Sequence, residues 1–324
     1  MSQQPVLDVT IAVCTRDRST QLKRLLESFC SLEIPPATSW EVLIIDNGST
    51  DDTPQLLEQY AGRLPLRCIR EPRQGLSNAR NRAFTAAEAE LIVCTDDDCI
   101  VPTDWLVNFL TAASRYQLAD LFAGEVEPHF DGADEAWRAT ARQEAPSAFA
   151  RFKFGLQDTR IDWQSSLRLI PYGANYAVRT KAARKFSFDR VVGRGSHETL
   201  LLGGEETRYF LRMLNAGHVG WLVAGTPVKH WISSDKATLQ YVAHYYYGVG
   251  LQWGQMPRSP AWINALRRKA LDILCHLAPR LLGRSHPLVA IARVRDWNMA
   301  RGALYSHTLD KEARMVDETG NTIF

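Results

Sequence analysis

The chain has 324 residues, 45% hydrophobic and 23% charged, enough to bury one large core or two modest ones. Its net charge of +2 is too mild to argue for a nucleic-acid partner, and no run of Lys and Arg interleaved with aromatics occurs in the first two thirds. Residues 1–6 lack the basic and apolar regions of a signal peptide, and the longest stretch without Asp, Glu, Lys or Arg, Ala237 to Pro257, is too polar to cross a membrane.

Val9 to Cys14 is a β-branched run that ends in Thr15-Arg16-Asp17-Arg18, and Leu22, Leu25, Leu26 and Phe29 then recur at helical spacing from Ser19. This predicts a strand followed by a helix. Val42 to Ile45 starts a second such unit, with the turn Asp46-Asn47-Gly48-Ser49-Thr50-Asp51 and a helix from Thr53, where Pro54 suits the first turn. Leu66 to Arg70 predicts a third strand, Gly75 to Ala87 a helix, and Leu91 to Thr95 a fourth strand. The alternation implies an α/β fold, a mainly parallel central sheet with helices on both faces.

In an open parallel sheet, ligands bind beyond the carboxyl ends of the strands. Thr15 to Arg18, Asp46 to Thr50 and Asp96 to Asp98 all fall there, so three polar strand ends predict one pocket. Asp96, Asp97 and Asp98 repel one another, and burial would penalise their charge further unless a cation neutralises them. A divalent metal holding a phosphorylated substrate meets that need, while a polar turn after a strand is the plainer alternative. A dinucleotide fold would want G-x-G-x-x-G after the first strand and a P-loop would want G-x-x-x-x-G-K-[ST]; neither occurs.

Between Glu125 and Tyr172 the pattern is irregular, with Trp137, Phe149, Phe152, Phe154 and Trp163 available for core packing or, as the weaker reading, for stacking on a sugar ring. Gly203-Gly204-Glu205-Glu206 opens a helix carrying Phe210, Leu211 and Leu214, with Gly217 as its stop. After Ser233 helices are expected at Lys236 to Trp253, Ala261 to Leu277 and Leu288 to Leu304, the second with Arg267, Arg268 and Lys269 beside its apolar face. Packing against protein is the stronger reading of that face, a membrane surface the weaker. Cys14, Cys30, Cys68, Cys94, Cys99 and Cys275 have no C-x-x-C spacing and read as reduced core thiols of a cytoplasmic protein.

In order, Thr15-Arg16-Asp17-Arg18, Asp46-Asn47-Gly48-Ser49-Thr50-Asp51, Gly75-Leu76-Ser77-Asn78-Ala79-Arg80-Asn81, Asp96-Asp97-Asp98 and Gly204-Glu205-Glu206 resemble family 2 glycosyltransferases, inverting nucleotide-sugar enzymes of GT-A fold. The likeness implies a catalytic domain at residues 1–232 and leaves 233–324 as a helical C-terminal extension. It implies that Thr15, Arg16 and Arg18 border the nucleotide and that Asp46 accepts from an imide N–H, uracil being favoured, with a guanine edge also able to donate. Asn78 and Arg80 would reach nucleotide or phosphate, Arg80 having a surface ion pair with Glu71 as its equal alternative. Tyr172-Gly173-Ala174-Asn175-Tyr176-Ala177 would bring Asn175 to the donor sugar.

For the acidic triplet the resemblance implies a ribose contact at its start and a metal ligand at its end, leaving Asp96 and Asp97 for the donor and Asp97 or Asp98 for Mg²⁺ or Mn²⁺, with His230 as a further ligand. Glu206, where the family usually has Asp, would be the base, with Glu205 in reserve. The implied partners are a UDP-sugar, or a GDP- or dTDP-sugar, and a glycan, lipid-linked or other hydroxyl acceptor in bacterial polysaccharide or glycoconjugate synthesis. Peripheral membrane contact at the inner face and a homodimer stay open. A sugar nucleotidyltransferase would want a glycine-rich basic loop after the first strand, and a sugar-binding protein would not need Glu205-Glu206.

Overall fold

The computed structural model describes residues 7–165, 169–189, 204–254 and 295. The four predicted strands form β1 (Val9–Thr15), β2 (Trp40–Asp46), β3 (Leu66–Arg70) and β4 (Leu91–Asp96), lying parallel in the order β3-β2-β1-β4. Val9, Ile11, Val13, Val42, Leu43, Ile44, Ile45, Ile92 and Val93 are wholly inaccessible, as expected of strands covered on both faces. Each such side chain stabilises the fold by about 1.5–3 kcal/mol.

Three helices alternate with these strands: α1 (Ser19–Phe29), α2 (Thr53–Tyr60) and α3 (Leu76–Ala86). Leu22, Leu25, Leu26 and Phe29 are the buried stripe of α1, and Pro54 sits in the first turn of α2. Both placements follow the predicted periodicity.

The chain then departs from simple alternation. It runs through β5 (Cys99–Ile100), α4 (Trp105–Arg115), β6 (Leu121–Ala123), β7 (Val126–Phe130), α5 (Glu135–Glu144), β8 (Thr159–Ile161), β9 (Asn175–Arg179) and α6 (Thr180–Ala183). It continues as α7 (Glu205–Asn215), β10 (Gly220–Leu222), β11 (Val228–Ile232) and α8 (Leu239–Gly254). The full sheet has eight strands, β3-β2-β1-β4-β9-β6-β10-β8, in which β9 and β8 run against the other six. A second sheet, β5-β11-β7, pairs His230 with Cys99 and so draws β11 to the acidic run.

Two compact units emerge. Of the described residues, one unit holds 7–131, 149–165, 169–189 and 204–233, and the other holds 132–148, 234–254 and 295. Segment 132–148, with α5, thus groups apart from the rest of the expected 1–232 domain. The helix expected at Lys236 to Trp253 is α8, whereas those at Ala261 to Leu277 and Leu288 to Leu304 lie outside the described residues. Among the described residues no helix is long and apolar enough to cross a membrane.

Two smaller expectations are corrected. Cys94 and Cys99 are buried, but Cys30 and Cys68 are exposed, because Cys30 caps the end of α1 and Cys68 lies on β3, the edge strand of the sheet. Phe149 and Phe152 are core residues, whereas Trp163 is 65% exposed.

Candidate active site

Register aligns the strand ends. Thr15 lies opposite Asp46 and Cys14 opposite Asp96, so the polar residues after β1, β2 and β4 come side by side, all within the first unit. The loops beyond them are tied by short polar side chains. Asp17, at φ 51°, accepts from the Thr50 amide at 2.7 Å and donates its own amide to Ser49 Oγ at 3.1 Å. Asn47 donates to the Glu71 and Arg73 carbonyls and accepts from the Gly75 amide, fixing the approach to α3. These two residues were not singled out as site residues; their turn-forming chemistry was the available signal.

Asp46 is buried and accepts from the Ser49 amide at 2.8 Å, which fixes its carboxylate within the turn after β2. Arg16 is half-exposed beside Asp17, at 3.5 Å. Asn78, in the first turn of α3, donates to the Gln74 carbonyl, and its Oδ1 is buried without a partner, an acceptor that a ligand N–H could satisfy.

Two members of the acidic run, Asp97 and Asp98, share a cation, Arg18. Its Nη1 donates to Asp97 Oδ1 at 2.8 Å and to Asp98 Oδ2 at 3.0 Å, while Thr15 Oγ1 donates to Asp97 Oδ2 at 2.8 Å. Burial pushes the Asp97 carboxyl up to about 6, against the pull of Arg18. Asp97 in turn holds the Arg18 guanidinium above its ordinary pKa. The Arg18 side chain keeps 34% of its surface exposed, so it closes the acidic run from the solvent side.

Asp98 also meets His230. Trp231 donates its amide to the Asp98 carbonyl at 2.8 Å, and His230 Nε2 lies 3.2 Å from Asp98 Oδ1. His230 Nδ1 faces the Phe149 carbonyl at 3.3 Å; a carbonyl only accepts, so Nδ1 carries a proton. Nε2 then confronts a carboxylate oxygen, which requires a positive charge between them: a proton or a metal ion. A histidine oriented by a backbone carbonyl beside a carboxylate suits a divalent ion. Among the described residues no cluster of three or more His, Cys, Asp or Glu forms a ready-made cage, so substrate oxygens and water would complete the shell.

Arg80 departs from expectation. It is not a surface partner of Glu71, which pairs with Arg73 at 2.9 Å. Its guanidinium, 6% exposed, spans Asp96 Oδ1 at 3.2 Å, Glu205 Oε1 at 3.2 Å and Glu206 Oε1 at 2.7 Å. Burial opposes its charge, but Glu206, Asp96 and Glu205 outweigh that and hold it well above the ordinary value. Arg80 therefore joins the end of β4 to the start of α7. Beneath it a cavity of about 10 Å³, lined by Cys14, Cys94, Asp96, Gly173 and Tyr176, has room for one water at most.

At the start of α7, Gly204 takes the left-handed φ of 99°, and the two acids diverge. The Glu205 side chain is 2% exposed and turned inward, whereas that of Glu206 is 17% exposed. Asn175 is corrected outright. It is fully buried, donates to the Glu125 and Thr226 carbonyls and accepts from Trp105 Nε1, so its amide is consumed in the core and does not face a donor sugar.

The chain matches the model of glycosyl transferase family 2 over residues 10–187. It is 32% identical over 111 residues to a beta-monoglucosyldiacylglycerol synthase of Nostoc sp., covering 33% of this chain and 24% of that protein. To the putative glycosyltransferase EpsH of Bacillus subtilis it is 29% identical over 106 residues, covering 32% and 30%. The match thus spans less than a third of either relative. Among solved structures, Staphylococcus aureus TarS 1-349 in complex with UDP superposes with a TM-score of 0.55 at 15% identity, over 94% of this chain and 92% of that one. A mannosyltransferase of Pyrobaculum calidifontis in complex with GDP-Man and Mn²⁺ gives 0.58 at 16% identity, over 94% and 86%. The fold is that of the GT-A glycosyltransferases, and the chain belongs to glycosyl transferase family 2.

Proposed function

We propose that this chain transfers a glycosyl group from a nucleoside-diphosphate sugar to an acceptor hydroxyl with inversion at the anomeric carbon. One observation carries the reading: Arg80 ties Asp96, at the end of β4, to Glu206, at the start of α7, so the acidic strand end and the candidate base share one crevice. TarS structures with UDP and UDP-GlcNAc, and the mannosyltransferase with GDP-Man and Mn²⁺, support a nucleotide-sugar donor. The turn at Asp46 and the loop from Thr15 to Arg18 are the proposed nucleotide seat.

Glu206 is the proposed base because, of the two acids, it is the more exposed. It takes the proton of the acceptor hydroxyl as that oxygen attacks the anomeric carbon; the bond from that carbon to the diphosphate breaks, and its electron pair leaves on the diphosphate. Asp98 and His230 would hold Mg²⁺ or Mn²⁺, which when bound supplies positive charge to the diphosphate. Glu205 and Asp96, through Arg80, keep Glu206 oriented.

The test is Glu206→Gln, Asp97→Asn and Asp98→Asn, each measured for donor hydrolysis and transfer with and without Mn²⁺ against a panel of sugar nucleotides. Glu206→Gln should stay folded and bind donor while turnover falls by about 10²–10⁴. Full activity in all three variants would remove the mechanism.

A further inference from the structure

Gly173 lies two residues before β9, in Tyr172-Gly173-Ala174. A Cβ built there would stand 2.3 Å from Glu206 Oε1, 2.6 Å from Glu206 Cγ and 2.7 Å from Arg80 Nη2. All three are side-chain atoms, and Gly173 is not among the glycines with positive φ. Backbone conformation therefore does not demand glycine here. The space is taken by the pair that the candidate base makes with its arginine.

We propose that Gly173 is a positioning residue for Glu206: its missing methyl is the space in which the carboxylate lies against Arg80. This rests on Glu206 being the base. A methyl at 173 meets side-chain atoms and no backbone atom among its nearest neighbours, so the chain can still fold, but Glu206 must leave its seat. Arg80 is held from behind by Asp96 and Glu205, so it has little room to follow. The inference makes the reach of the base depend on a residue that touches no substrate.

The experiment compares Gly173→Ala with the wild type and with Gly173→Ala/Glu206→Ala. In Gly173→Ala, kcat should fall about a hundredfold, the effect of misplacing a reacting group by about 1 Å, while the donor KM stays within about twofold. A purely structural lesion would not split kcat from KM in this way. In thermal unfolding, the loss of Tm caused by Gly173→Ala should shrink in the Glu206→Ala background, because the two shortest of the three contacts, both to Glu206, are gone and Arg80 is released from that partner.

Wild-type kcat in Gly173→Ala, or strictly additive losses of Tm, would overturn the proposal. Should Gly173→Ala fail to fold, recovery of a folded protein in the double variant supports the steric pair, and failure of both overturns it. The two readings separate cleanly. Full activity of Glu206→Gln defeats the base assignment whatever the melting data give, whereas an inactive Glu206→Gln beside a normal Gly173→Ala defeats only the positioning role.

Discussion

Two arginines divide the acids at the end of β4. Arg18 faces solvent and takes Asp97 and Asp98, while Arg80 lies inside and takes Asp96 with Glu205 and Glu206. Identical chemistry serves two purposes because burial differs. A partly exposed guanidinium can swing toward solvent and yield its carboxylates to another cation, whereas a buried one has no water to receive it and acts as a fixed brace.

Removing each arginine tests that contrast, with the largest effect expected at the buried site. Arg80→Met strands the buried Glu205 without its cation, beside the partly exposed Asp96 and Glu206, and should cost about 3–5 kcal/mol in urea unfolding. Added Mn²⁺ should not recover it. Arg18→Met leaves Asp97 and Asp98 buried, but the Thr15 hydroxyl and His230 still face them and each carboxylate can gain a proton or a metal, so a smaller loss of about 1–2 kcal/mol is expected. Equal losses in the two variants would erase the distinction between brace and gate.

The parts of this arrangement were unequally legible in the sequence. The first four strands and three helices followed from apolar runs and helical spacing, since their order is enforced locally. β5, β6 and β10 are two or three residues long and owe their existence to distant partners, so no periodic pattern marked them. The need of the acidic run for positive charge is legible from its composition. That an arginine from the loop after β1 supplies it depends on folding, not on spacing. Arg80 looked like a helix-flank charge because its partners Glu205 and Glu206 lie more than a hundred residues away. The core position of Asn175 is hidden for a related reason: an amide in a strand carries no sign of whether it faces ligand or core.

A second prediction concerns the gate. If Arg18 and a divalent ion compete for Asp98, Arg18→Met should bind Mn²⁺ about tenfold more tightly than the wild type, a gain of about 1.4 kcal/mol. Titrating Mn²⁺ while following Tm, with no donor present, reads this directly. His230→Ala should abolish the gain, since His230 Nε2 is the other group facing Asp98 Oδ1. An unchanged or weaker Mn²⁺ response in Arg18→Met would mean that the guanidinium assists the ion instead of excluding it.

The smallest effect is expected at Thr15, and it bears on how far Asp97 depends on Arg18. Thr15→Val deletes the hydroxyl that donates to Asp97 Oδ2 but leaves the Arg18 bond to Oδ1 in place, so the loss should be about 1 kcal/mol. In an Arg18→Met background the same substitution strips Asp97 of both donors. The cost should then rise by about a further 1 kcal/mol, because a buried carboxylate with no donor is penalised more than one with a single donor left. Additive losses would show that the two donors act independently and that the hydroxyl alone does not sustain the charge on Asp97.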